Sequence, residues 1–80
     1  MALAEFAVGD RAQAEQHLRD LLRDVPTYGA AHYLLGNMLA AREAWAEAAR
    51  AYEAYLRAEP RGPDAEEARG RLDYVRSRAR

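Results

Sequence analysis

The chain has no cysteine, no lysine and no isoleucine, and a single residue each of serine, threonine and asparagine. Without cysteine there is neither a disulfide nor a thiolate metal site. Without lysine, Schiff-base chemistry and phosphate-binding lysine loops are excluded. No apolar run reaches the roughly 18 residues that a membrane-spanning helix needs. The opening stretch, MALAEFAVGD, has no basic segment and no long apolar core. It does not read as a signal peptide, so a soluble, cytoplasmic protein is expected. Strand signals are sparse as well: three valines, one threonine and no alternating run.

Helix formers take their place. Alanine alone accounts for 19 of the 80 residues. Half the chain is hydrophobic, but alanine buries little area, so helices built from it must pack closely to gain stability. The length allows one domain or a piece of one. Twelve arginines face 13 acidic residues, for a formal net charge of −1. That balance argues against a general nucleic-acid binder, which is usually basic. Arginine as the only cation is what a GC-rich genome produces.

Three punctuation marks divide the chain: Gly9-Asp10, Pro26-Thr27 and Pro60-Arg61-Gly62-Pro63. Asp10 with Gln13 reads as an N-cap and capping box, opening a helix from about 11 to 24. Its apolar stripe is Leu18, Leu21, Leu22 and Val25, and Pro26 ends it. A second helix begins near 28 and carries Leu34, Leu35, Met38 and Leu39. Another stripe runs through Trp45, Ala48, Ala49, Tyr52, Tyr55 and Leu56 and stops before Pro60. Pro63 suits the first turn of a last helix, where a missing N–H costs nothing. Asp64, Glu66 and Glu67 crowd that turn, favoured by the helix dipole. Ala65, Ala68, Leu72, Val75 and Ala79 then form a single inner seam. Between Leu39 and Trp45 there is no glycine, proline or strong cap. Local signals there fit equally a hairpin or one long helix over 28–58.

Within this pattern Gly36 interrupts an apolar helix, at a cost of about 1 kcal/mol relative to alanine. Shifting the sequence by 34 residues supplies a context. Pro26 falls on Pro60, Ala14 on Ala48, Leu18 on Tyr52, Leu22 on Leu56, Ala31 on Ala65 and Gly36 on Gly70. Nine of 46 pairs are identical, against roughly five expected from a chain this rich in alanine and arginine. The coincidence of a proline, a glycine and the apolar stripe carries more weight than the count.

A 34-residue period of two helices resembles the tetratricopeptide repeat. The family pattern appears here as His32, Leu35-Gly36, Leu39, Ala48, Tyr52 and Pro60. Histidine replaces tryptophan, leucine replaces tyrosine, and tyrosine replaces phenylalanine. The resemblance implies an all-α fold, with antiparallel helix hairpins stacked as a short right-handed solenoid. Residues 1–28 would form a partial repeat with a truncated first helix, and 29–62 a complete repeat. Residues 63–80 would form a C-terminal capping helix or the start of a third repeat. It places a turn at about Ala41 to Glu43. It also makes Gly36 and Ala48 the small residues at a close helix crossing.

Function follows from the same resemblance. First helices of the family line a concave groove for a peptide or partner protein. The matching positions here are Tyr33, Asn37, Ala40 and Ala41, with Phe6 from the partial repeat and Asp64, Glu67, Arg71 and Tyr74 from the last helix. Asn37 stands out, since an amide can bond both the N–H and the C=O of a bound peptide. With no lysine, and with acids at 64 and 67, capture of an acidic C-terminal tail is not expected.

Catalysis is poorly supplied. Ser77 has no nearby histidine in sequence, and His17 and His32 lack metal-ligand spacing. His32 reads as a packing residue and His17 as a surface one, so no enzyme activity, cofactor or metal is expected. Trp45 and Tyr55 read as packing against the next helix, although an uncovered Trp45 would mark a contact surface. The arginine-rich tail, with Arg69, Arg71, Arg76, Arg78 and Arg80, reads mainly as a solvated helix end. The expected role is therefore a protein-interaction scaffold, with no nucleic acid or membrane partner. Two alternatives stay open. One is self-association through the incomplete first repeat. The other is contact of the basic last helix with nucleic acid or anionic membrane.

Overall fold

A computed structural model describes residues 9–79. Among these residues the fold is entirely helical: α1 (Gly9–Asp24), α2 (Gly29–Ala41), α3 (Trp45–Ala58) and α4 (Ala65–Arg78). Each helix packs on the next in sequence, most extensively α2 on α3. None is long and apolar enough to cross a membrane.

The core runs through the last three helices. Leu35 and Leu39 enter it from α2, Ala48, Ala51, Tyr52 and Tyr55 from α3, and Ala65, Ala68, Leu72 and Val75 from α4. Ala48 and Ala68 are fully buried, which lets neighbouring backbones come close. Tyr52 is also buried, at 1% exposure. A buried side chain of this kind contributes about 1.5–3 kcal/mol. Leu18 and Leu22 of α1 pack at the edge of this core and stay partly exposed.

Several boundaries and orientations depart from expectation. Asp10 lies inside α1 and not before it, so it does not cap the helix. Pro63 precedes α4 by two residues and sits in a turn closed by the Ala65 N–H donating to the Gly62 carbonyl, 3.1 Å. Ala79 lies past the end of α4 and is exposed, so the seam ends at Val75. Leu34 points outward at 51% exposure, because α2 buries the side carrying Ala31, Leu35 and Leu39. His32 is half-buried and donates from Nε2 to the Pro26 carbonyl, 2.8 Å, tying α2 to the preceding turn.

The open choice at 41–45 resolves as a turn. Glu43 adopts φ 63°, the left-handed region. Its N–H donates to the Ala40 carbonyl at 3.0 Å, and the Ala44 N–H donates to the Leu39 carbonyl at 2.8 Å. These two bonds form a Schellman motif, whose left-handed position usually holds glycine. Glutamate in that conformation costs about 1–2 kcal/mol. The cost is set against an ion pair one residue earlier. Arg42 grips Glu15 with two bonds, Nε to Oε2 at 2.7 Å and Nη2 to Oε1 at 3.1 Å. Glu15 is buried, and Arg19 also reaches its Oε1 at 3.2 Å. The Arg42 hydrogen bond holds the Glu15 carboxyl below its ordinary value, against an opposing push from burial. This pair fastens α1 to the α2–α3 turn.

The explanation for Gly36 also changes. A Cβ there would stand 2.8 Å from the Tyr52 ring. The missing side chain makes room for that buried ring, rather than for a bare backbone-to-backbone crossing opposite Ala48.

Candidate functional site

An open groove of about 690 Å³ runs between α2 and α4, with the first half of α3 at its base. From α2 it takes Asn37, Ala40 and Ala41, and from α4 Glu67, Gly70, Arg71 and Tyr74. Thus six residues expected on one face, Asn37, Ala40, Ala41, Glu67, Arg71 and Tyr74, do meet. They are joined by four not assigned to the groove from sequence: Trp45, Tyr52, Gly70 and Val75. Trp45 was visible in the sequence as an aromatic immediately after the turn. Its return toward α4 depends on the sharp Glu43 conformation, which has no sequence signature.

The remaining expected residues fall elsewhere. Tyr33 is buried beneath the groove at 8% exposure. Its ring packs against Tyr52 at 5.9 Å and Tyr55 at 5.3 Å between centroids. It is a core residue, not a presented one, and burial pushes its hydroxyl pKa upward. Asp64 is half-buried at the start of α4 and borders a small separate pit with Tyr55 and Pro63. Its backbone N–H donates to the Tyr55 hydroxyl, 3.1 Å. Phe6 lies outside the described residues.

The polar centre of the groove is Asn37. Its Oδ1 accepts from the Tyr52 hydroxyl at 2.6 Å and from Arg71 Nη1 at 3.2 Å. A guanidinium can only donate, so the amide must turn its oxygen toward Arg71. The two N–H groups of Nδ2 have no protein partner among the described residues. The amide is therefore a donor to any bound group and not the two-way partner expected from sequence.

Arg71 is held in turn. Its Nη2 donates to Glu67 Oε2 at 2.8 Å, and the guanidinium lies 5.9 Å from the centre of the Tyr33 ring. The hydrogen bond with Glu67 raises the Arg71 pKa and lowers that of Glu67. Both side chains are about half exposed, so the pair contributes little to stability and mainly orients Arg71.

The far wall is aromatic. Trp45 and Tyr74 meet edge to face, with centroids 5.9 Å apart and an interplanar angle of 81°. Trp45 is half-buried, while Tyr74 is 55% exposed. The guanidinium of Arg78 stands 5.6 Å from the Trp45 ring centre and 5.9 Å from that of Tyr74. No carboxylate lies within ion-pair distance of Arg78 among the described residues.

Other candidates have assigned contacts. Ser77 Oγ donates to the Tyr74 carbonyl at 2.7 Å. Among the described residues no group of three histidine or acidic side chains is placed to hold a metal. Arg76 pairs with Glu53 at 2.6 Å, and Arg69 donates to the Pro60 carbonyl at 2.9 Å. Arg80 lies outside the described residues.

No protein-family model matches the chain, and no curated protein or solved structure matches it.

Proposed function

We propose that this chain is a tetratricopeptide-like helical array that acts without catalysis. Its α2–α4 groove would receive a peptide or a segment of a partner protein. One observation carries this reading. Six residues that the tetratricopeptide resemblance implies for one face line one open groove with an aromatic wall and an amide donor at its centre. Grooves that bind ligands combine apolar lining with a few fixed polar groups, and this groove has that composition. The basic-helix alternative loses support from the contacts of its arginines, since Arg71 and Arg76 are paired with Glu67 and Glu53.

Blocking the groove tests the proposal. Ala41→Arg introduces a long charged side chain at an exposed lining position. It should abolish partner capture while leaving circular dichroism unchanged. Arg50→Ala, on the opposite side of α3, should leave capture intact. Capture that survives Ala41→Arg and fails with Arg50→Ala would refute the groove.

One observation favours a second reading, self-association, here through α2 and not through the incomplete first repeat. Leu34, at 51% exposure, turns away from the core alongside exposed Ala30 of the same helix. Sedimentation across a concentration series, with Leu34→Glu as the variant, separates the two. A dimer dissolved by Leu34→Glu would place the interaction on that face.

A further inference from the structure

The fold contains its own example of how a helix glycine receives a ring. At Gly36 the ring of Tyr52 occupies the space that a Cβ would need, with its nearest atom 2.8 Å from the Cβ position. Its hydroxyl then bonds the next residue, Asn37. One period later stands Gly70, followed by Arg71. A Cβ at Gly70 would meet nothing within 4 Å. Yet Gly70 lines the groove, with Trp45 and Tyr74 on its walls. Gly70 is thus a bare, helix-weakening residue at the point where the groove is open and aromatic.

The charge around this seat is not balanced in the same way throughout. Arg71 is neutralised by Glu67, whereas among the described residues Arg78 meets the faces of Trp45 and Tyr74 and no carboxylate. A cation over aromatic rings gains about 0.5–1 kcal/mol at exposed sites. It keeps its capacity to form charge-assisted bonds to a carboxylate. A ligand that filled the aromatic corner would therefore find an available guanidinium at its edge. Asn37 Nδ2 would face a ligand carbonyl from the opposite wall.

We infer that the groove takes a peptide segment whose aromatic side chain seats on Gly70 beside the Trp45–Tyr74 pair, with an adjacent carboxylate paired to Arg78. The inference rests on the groove reading and narrows it to an acidic, aromatic segment. It departs from the expectation against an acidic tail because Glu67 is paired with Arg71 and Asp64 lies outside the groove. A lysine-flanked aromatic would face Arg78 with like charge. A purely acidic segment would leave the seat empty.

The test uses the whole chain and four blocked peptides, measured by isothermal titration. The first has sequence acetyl-Ser-Asp-Phe-Glu-Ser-amide. The others carry alanine for phenylalanine, asparagine and glutamine for the acids, or lysine for both acids. The first should bind saturably, shift the emission of Trp45, and weaken as salt rises. Losing the ring should weaken binding by about tenfold or more, given the area an aromatic buries. Gly70→Leu should abolish binding. It replaces glycine by a better helix former at an exposed position, so folding should be retained, as circular dichroism will show. Arg78→Gln should weaken the first peptide and erase its preference over the asparagine and glutamine version.

Failure to bind the first peptide at millimolar concentration would overturn the inference. So would binding that ignores Gly70→Leu. If the lysine peptide instead binds and is lost with Ala41→Arg, the partner class is wrong and the groove reading stands. If no peptide in a wider panel is sensitive to Ala41→Arg, both fail.

Discussion

Gly36 and Gly70 stand one 34-residue period apart in helices of similar length, and their surroundings are opposite. Gly36 is buried under Tyr52, while no described residue takes that part above Gly70. The same residue type thus serves core packing in α2 and leaves an open seat in α4. The comparison shows why a repeat in sequence does not fix the role of its members. The role depends on which helix covers the position.

The largest effects should break the α2 side of this comparison. Tyr33→Ala removes a ring wedged between Tyr52 and Tyr55 and should cost about 3–5 kcal/mol in urea unfolding. A variant that melts like the parent would mean that Tyr33 is not in the core. Gly36→Leu should be comparably severe, through overpacking against Tyr52.

The matched alanine substitutions sharpen the comparison. Gly36→Ala should destabilise by about 1–3 kcal/mol, because the Tyr52 ring is too close and its hydroxyl is bonded to Asn37. Gly70→Ala should stabilise by about 0.5–1 kcal/mol, since only helix propensity changes. Melting shifts of the same sign for both would erase the distinction.

A smaller effect belongs to pH. Glu15 has a lower pKa folded than unfolded, with the Arg42 hydrogen bond as the main cause. Its contribution is therefore present above the ordinary value of 4.5 and lost as pH falls through the lower folded value. Glu67 has the same sign, from Arg71, but is exposed and should matter less. Glu15→Gln should flatten the acid limb of a melting-temperature profile, and an unchanged limb would count against the buried pair. Smallest of all, Glu43→Gly should gain about 0.5–1 kcal/mol, the left-handed strain relieved less the entropy glycine loses. A loss of stability on thermal melting would contradict the strained turn.

The legible parts of the fold were those written locally. Proline and glycine marks located the breaks between α1 and α2 and between α3 and α4. The spacing of Ala65, Ala68, Leu72 and Val75 gave the buried face of α4 directly. The α2–α3 turn was not locally legible, because its left-handed residue is Glu43, where the usual signal would be glycine. The Glu15–Arg42 pair joins residues 27 apart, and no pattern in either helix announces it. Leu34 looked like core beside Leu35, but a helix that packs on one side must turn one of two adjacent leucines outward. For the groove, the family resemblance named positions along the helices but carried no information on depth. It could not tell that Tyr33 lies beneath the surface, or that the Asn37 oxygen is already bonded to Tyr52 and Arg71.

The most direct test of the binding face is a backbone-amide and indole NMR titration of the whole chain with acetyl-Ser-Asp-Phe-Glu-Ser-amide. The largest shifts should fall on Gly70, Tyr74, Asn37 and the Trp45 indole, with Arg50 and the outer side of α3 unmoved. Shifts centred on Arg50, or on α1 with Gly70 and Trp45 silent, would contradict the account.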